Sequence, residues 1–109
     1  MVNVISKIFK KKITEKFYKT CILFDERNGS NFLTSRQLYE CYLNFKGINK
    51  DSPKCLTLSN FLSIIKKEHP ELGGFTYCQR RVNGESEPKW GFKFISFTDE
   101  GLKFFKKSN

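Results

Sequence analysis

Apolar residues recur three and four apart over the first quarter of the chain, at Ile5, Ile8, Phe9, Ile13 and Phe17, with Cys21 and Phe24 extending the same face. That spacing predicts an amphipathic helix, either one long helix or two short ones meeting near Lys12. Residues 25–30 break the pattern, with Asn28-Gly29 as the strongest turn signal. A short strand at Asn31-Phe32-Leu33 leads to Thr34 and Ser35, either of which can cap a second helix. Leu38, Tyr39, Tyr42 and Phe45 mark the inner face of that helix, and Gly47 stands where a left-handed terminating residue belongs. A third helix starts near Thr57 or Ser59, runs to Glu68 and is stopped by Pro70. Its inner face is Leu58, Phe61, Leu62, Ile64 and Ile65; its outer face is Ser59, Asn60, Ser63, Lys66 and Lys67.

After Gly73-Gly74 the period changes from helical to alternating. Residues 75–82 read as a strand, 83–88 as a polar hairpin tip and 89–97 as the returning strand. Trp90, Phe92 and Phe94 share one face of that strand; Gly91, Lys93, Ile95 and Phe97 share the other. Thr98 caps a closing helix with Glu100 in its first turn and Lys103, Lys106 and Lys107 in its last, the order the helix dipole favours. Leu102, Phe104 and Phe105 tie that helix to the body. By spacing, Phe32, Phe45 and Phe61 belong to the core, and a lone Trp in a hairpin is expected to pack on a helix.

The order helix, short strand, helix, helix, strand, hairpin, strand predicts an α+β fold of the winged helix-turn-helix kind. A three-helix core and β-hairpin wing occupy residues 13–97. Residues 1–12 form a basic amphipathic helix or extension, and residues 98–109 a C-terminal helix. A chain of 109 residues is the size of one domain.

Charge narrows the function. The 20 basic and 11 acidic residues leave +9, a field that attracts polyanions, chiefly nucleic acid or acidic membrane. Lysine outnumbers arginine 16 to 4, a bias that also fits an AT-rich genome. No apolar run approaches the ~20 residues that span a bilayer, and Met1 to Lys12 hold no signal peptide. The expectation is an intracellular protein of nucleus or cytoplasm. Cys21, Cys41, Cys55 and Cys78 form no close pair and His69 is the single histidine; zinc needs closely spaced ligands, so no metal is expected and the thiols read as buried filler. Neither a nucleophile with its base nor a phosphate loop is present, which predicts a protein that is not an enzyme, with no cofactor and no small-molecule substrate.

The stretch FLSIIKKEHPEL (61–72), followed by Arg80-Arg81, a glycine-containing tip and Lys89-Trp90-Gly91-Phe92, resembles the DNA-binding domain of the regulatory-factor-X type. The upstream stretch KFYKTCILFDERNGSNFLTSRQLYECYLNF (16–45) is similar to the C-terminal winged helix of phage and virus primase-helicases. Both resemblances imply a winged helix that binds duplex DNA in transcription or replication. The chain departs from the first at its tip, where Glu85 and Glu87 would repel phosphate, and at Gly91, where that family has a tyrosine in its wing.

The DNA-binding candidates are Ser59, Asn60, Ser63, Lys66 and Lys67 on the third helix, and Arg80, Arg81, Lys89 and Lys93 on the hairpin. Asn reads adenine edges and Arg reads guanine or forks onto phosphate. Trp90 has a second role open to it, stacking on a base, and His69 reads as a partner for a helix C-terminus. Other readings remain beside duplex binding: a protein-interaction module, a binder of single-stranded nucleic acid, a membrane-surface segment at residues 2–17, and a homodimer seamed along the aromatic face of the first helix.

Overall fold

The computed structural model describes residues 13–48, 51–52, 55–81 and 86–106. The basic segment 1–12, Val82 at the end of the expected strand, the first half of the expected hairpin tip (83–85) and Lys107 lie outside the described residues. In chain order the elements are helix α1 (Glu15–Cys21), strands β1 (Ile22–Phe24) and β2 (Phe32–Thr34), and helices α2 (Ser35–Lys46) and α3 (Leu58–Glu68). Two 3-10 turns (Pro70–Leu72 and Gly74–Thr76) then lead into β3 (Tyr77–Arg80), β4 (Lys89–Lys93), β5 (Ile95–Phe97) and helix α4 (Asp99–Lys106). The described residues thus make a small α+β domain with four helices and two antiparallel sheets, one pairing β1 with β5 and one ordered β2-β4-β3.

Capping explains most of the boundaries. Thr34, not Ser35, starts α2: its Oγ1 accepts the Gln37 N–H at 3.1 Å, and Gln37 Oε1 accepts the Thr34 N–H at 2.9 Å. Gly47 closes α2 with φ 68°, a backbone conformation that a side chain disfavours. Thr57 caps α3 through the Asn60 N–H. Thr98 Oγ1 accepts the Gly101 N–H at 3.0 Å and donates to Thr20 O at 2.6 Å, while its N–H bonds Cys21 O, so it starts α4 and closes the open carbonyls of α1 together.

The core gathers where the helices meet the three-stranded sheet. Phe17, Leu38, Cys41, Phe61, Ile65, Leu72, Phe92 and Ile95 are wholly buried. Phe17 meets Tyr42 at 5.4 Å and Phe61 at 6.3 Å, edge to face, and Tyr42 lies 4.8 Å from Phe61. Such pairs add about 0.5–1.5 kcal/mol each beyond area burial. Phe17, on the aromatic face of the first helix, is therefore enclosed in the core.

Several expectations need correction. The first helix stops at Cys21: Ile22–Phe24 is a strand, because pairing with β5 (Ile22↔Phe97, Phe24↔Ile95) overrides the helical spacing. Ile13 is 47% exposed and not on the buried face. The strand expected from residue 75 begins at Tyr77, after a 3-10 turn that Gly74 enters at φ 59°. The returning strand is broken at Phe94, whose φ of 72° sends β4 and β5 into different sheets. That division is why both faces of 89–97 carry apolar groups. Trp90 is 50% exposed, stacked on Tyr77 and not packed under a helix. Phe45 is half-buried against the core, and Phe32, also half-buried, lies under Arg80. Cys21 and Cys41 are buried filler as read, whereas Cys55 and Cys78 are half-buried; burial foremost, with Cys21 nearby, pushes the Cys41 thiol well up.

Gly101 shows how close the packing is. A Cβ there would sit 2.2 Å from Cys21 O. Glycine-to-alanine in an exposed helix interior normally stabilises by about 1 kcal/mol; Gly101→Ala is expected to do the opposite and cost about 1–3 kcal/mol through overpacking. A thermal melt that rises for this variant would contradict the contact.

Candidate nucleic-acid interface

At 100° per residue, Lys66, Ser59, Ser63, Lys67 and Asn60 fall in one arc of about 120° around α3. Ser59, Asn60, Ser63 and Lys67 are exposed along it. Phe61 and Ile65, on the opposite side, are wholly buried and anchor the helix. The sequence-expected helix face is therefore brought together intact. Lys66, at the edge of the arc, is half-buried and lies over the Tyr77 ring with Nζ 3.7 Å from its centroid. Tyr77 in turn stacks on Trp90, with 4.9 Å between centroids and 18° between planes. Lys66, Tyr77 and Trp90 thus form a ladder joining α3 to β4, in which cation and ring attract.

The candidates within the hairpin strands share one face of the sheet, the one turned away from α3. The register pairs Tyr77 with Phe92, Gln79 with Trp90 and Arg80 with Lys89. Since alternate residues point to opposite faces, Tyr77, Trp90 and Phe92 face α3, while Arg80, Lys89 and Lys93 belong to the other face. Arg80 donates from Nη1 to Gly29 O at 3.0 Å and lies 5.2 Å over the Phe32 ring. It is a brace between the hairpin and the 25–30 turn, and not a group held out beside α3. Lys93 lies 4.9 Å over the Phe94 ring. Arg81, one residue past β3, is exposed.

Lys89 rejoins the helix side by a different route. β2 ends at Thr34 opposite Gly91, so Lys89 and Trp90 run on past it and stand beside the first turn of α2. There they line a cleft of about 360 Å³ with Arg36, Gln37, Glu40 and Leu58. Arg36 is exposed and was not among the sequence candidates. Its signal was faint: it stands one residue into a helix whose cap was ambiguous. Trp90 was expected to pack on a helix, with base stacking as its second role, and Tyr77 was not singled out.

The orientation of α3 depends on a polar clasp at its far end. Thr14 does not cap α1 with its own side chain. The Glu68 carboxylate takes that part, accepting the N–H of Ile13 at 2.8 Å, the N–H of Thr14 at 2.8 Å and Thr14 Oγ1–H at 2.6 Å. Having donated its proton, the Thr14 hydroxyl acts as acceptor toward His69 Nε2, 3.0 Å away. His69, buried, stacks on Tyr18 at 3.9 Å. It ends α3 as its C-cap, with its ring turned to packing. Burial alone would raise the Glu68 pKa, but the hydrogen bonds from Thr14 and Ile13, with His69 beside it, hold it below the usual carboxylate range.

Among the described residues no group of three His, Cys, Asp or Glu side chains is placed to hold a metal ion. No helix among them is long and apolar enough to cross a membrane. Comparison of the chain with protein-family models, curated proteins and solved structures finds no match.

The clasp makes stability depend on pH. A carboxylate with a depressed folded pKa stabilises in full above its unfolded value, about 4.3 for Glu, and loses that contribution as pH falls through the folded value. Glu68→Gln is expected to cost about 1 kcal/mol at pH 7, in the range of a lost helix cap. The difference from the native chain should shrink toward pH 3. Melting curves separated by the same interval at both pH values would rule out the charged clasp.

Proposed function

We propose that the domain is a winged helix-turn-helix that binds double-stranded DNA and catalyses no reaction. In this reading α3 lies in the major groove as recognition helix and the β3–β4 hairpin is the wing. The observation that carries it is the unbroken polar and basic arc of α3, exposed on a helix whose other side is locked into the core. The contact of Lys66 with the Tyr77 ring supports the wing reading, since it ties the start of β3 to that helix. Ser59, Asn60 and Ser63 are short enough to approach base edges, with Asn60 suited to adenine. Lys67, Lys66, Arg36, Lys89 and Arg81 supply phosphate contacts, which position without reading sequence. The single histidine of the chain is enclosed in the clasp between α1 and α3, a scaffold position. The resemblance to regulatory-factor-X and primase-helicase winged helices leads to the same reading.

Five phosphate contacts give an expected slope of about −4.5 for log K against log salt. Fluorescence anisotropy with a labelled duplex should then show affinity falling roughly 500-fold between 50 and 200 mM salt. Arg36→Ala or Lys67→Ala should each flatten the slope by about 1. Arg80→Ala should lower the melting temperature while leaving the slope as it was. A native slope near zero would remove duplex binding by this surface.

A further inference from the structure

The cleft beside α2 has features that a rigid duplex does not use. Ser35, the first residue of α2, lies on its wall. It is 6% exposed, and its Oγ has no hydrogen-bond partner among the described residues. A buried hydroxyl in that condition calls for a partner. The capping box closes the N–H groups of Thr34 and Gln37 but does not reach those of Ser35 and Arg36, at the positive end of a 12-residue helix. Such an end attracts phosphate. Arg36 and Lys89 add two cations to the same wall.

The facing wall is Trp90. Tyr77 covers one face of its ring, yet half of the residue remains open to solvent. The volume, about 360 Å³, sits at the small end of ligand sites, the size for one nucleotide and not for a helix. Glu40, the one acid on the wall, lies about 7 Å along α2 from Ser35 at 1.5 Å per residue. It repels phosphate from its own end of the cleft.

We propose that this cleft holds one unstacked nucleotide of DNA, its phosphate at the start of α2 by Ser35 and Arg36 and its base against Trp90. The inference rests on the DNA-binding reading and adds to it: the domain prefers duplexes with an unpaired nucleotide at an end or bulge. Base stacking on an aromatic side chain is sequence-tolerant, because every base has a π face.

Trp90 is the only tryptophan, so its fluorescence reports on the cleft without any substitution. The native chain is titrated with a blunt DNA hairpin, with hairpins bearing one unpaired nucleotide at the 5′ end, the 3′ end or as a bulge, and with the same hairpins made abasic at that nucleotide. At least one unpaired form should quench Trp90 and bind about tenfold tighter than its abasic counterpart. Trp90→Ala should abolish that tenfold difference. Equal quenching and equal affinity for every base-bearing and abasic pair, with the salt-dependent duplex binding intact, would overturn the nucleotide site alone. Failure of all hairpins to bind would overturn the DNA reading along with it.

Discussion

Phe17, Tyr42 and Phe61 come from three different helices and meet ring to ring at a single point. Remove that meeting and α1, α2 and α3 have no common reference. Because Phe61 is held there, the opposite side of α3 is fixed outward, and its short polar residues are presented together. Because Tyr42 is held there, the start of α2 is aimed at the start of β4. Aromatic rings suit the task, since their edge-to-face preference constrains direction as well as distance. The exposed chemistry is therefore a by-product of enclosed geometry.

The charges sort by what each side chain does for the fold. Arg80 and Lys93 lie over rings on one face of the hairpin and stiffen it. Lys66 does the same on the other face while remaining at the edge of the α3 arc. Ser59, Asn60, Ser63 and Lys67 stand exposed along the outer arc of α3. A net charge of +9 thus overstates how many cations are presented to a ligand together. It also understates one place, the start of α2, where helix dipole and side chains act in the same direction.

Much of the local structure was legible in the chain. Gly47, Pro70 and Thr98 are stops and a cap whose chemistry is short-range, so their positions could be read one residue at a time, whereas Thr34 and Thr57 were each one of two candidates that the chain alone left open. The inner and outer faces of α3 followed from its period. What escaped was decided by partners distant in sequence. The strand at Ile22–Phe24 exists because β5, more than 70 residues later, pairs with it, and its apolar spacing also satisfied a helix. The exposure of Trp90 depends on β2 ending short of it. The division of Arg80 from Lys66 depends on sheet register, which side-chain type does not encode. Arg36 entered the site only when the sheet brought β4 beside α2.

Phe94 works as a piece of mechanics between the two sheets. It is the one described residue other than glycine with positive φ. Its N–H and C=O bond Asn31 O and the Asp25 N–H, so this single residue splices the two sheets through the intervening turn. Upstream, Gly91 has no room for a side chain against Leu33 O, and downstream Gly101 has none against Cys21 O. The backbone is thus pinned at both ends of a short span with a switch of hand between them. Length there is as fixed as the teeth between two gears: one residue gained or lost would slide a bulky neighbour into a slot that admits only hydrogen. Related chains that share this architecture should vary elsewhere in length and keep this interval constant, even where its other residues change.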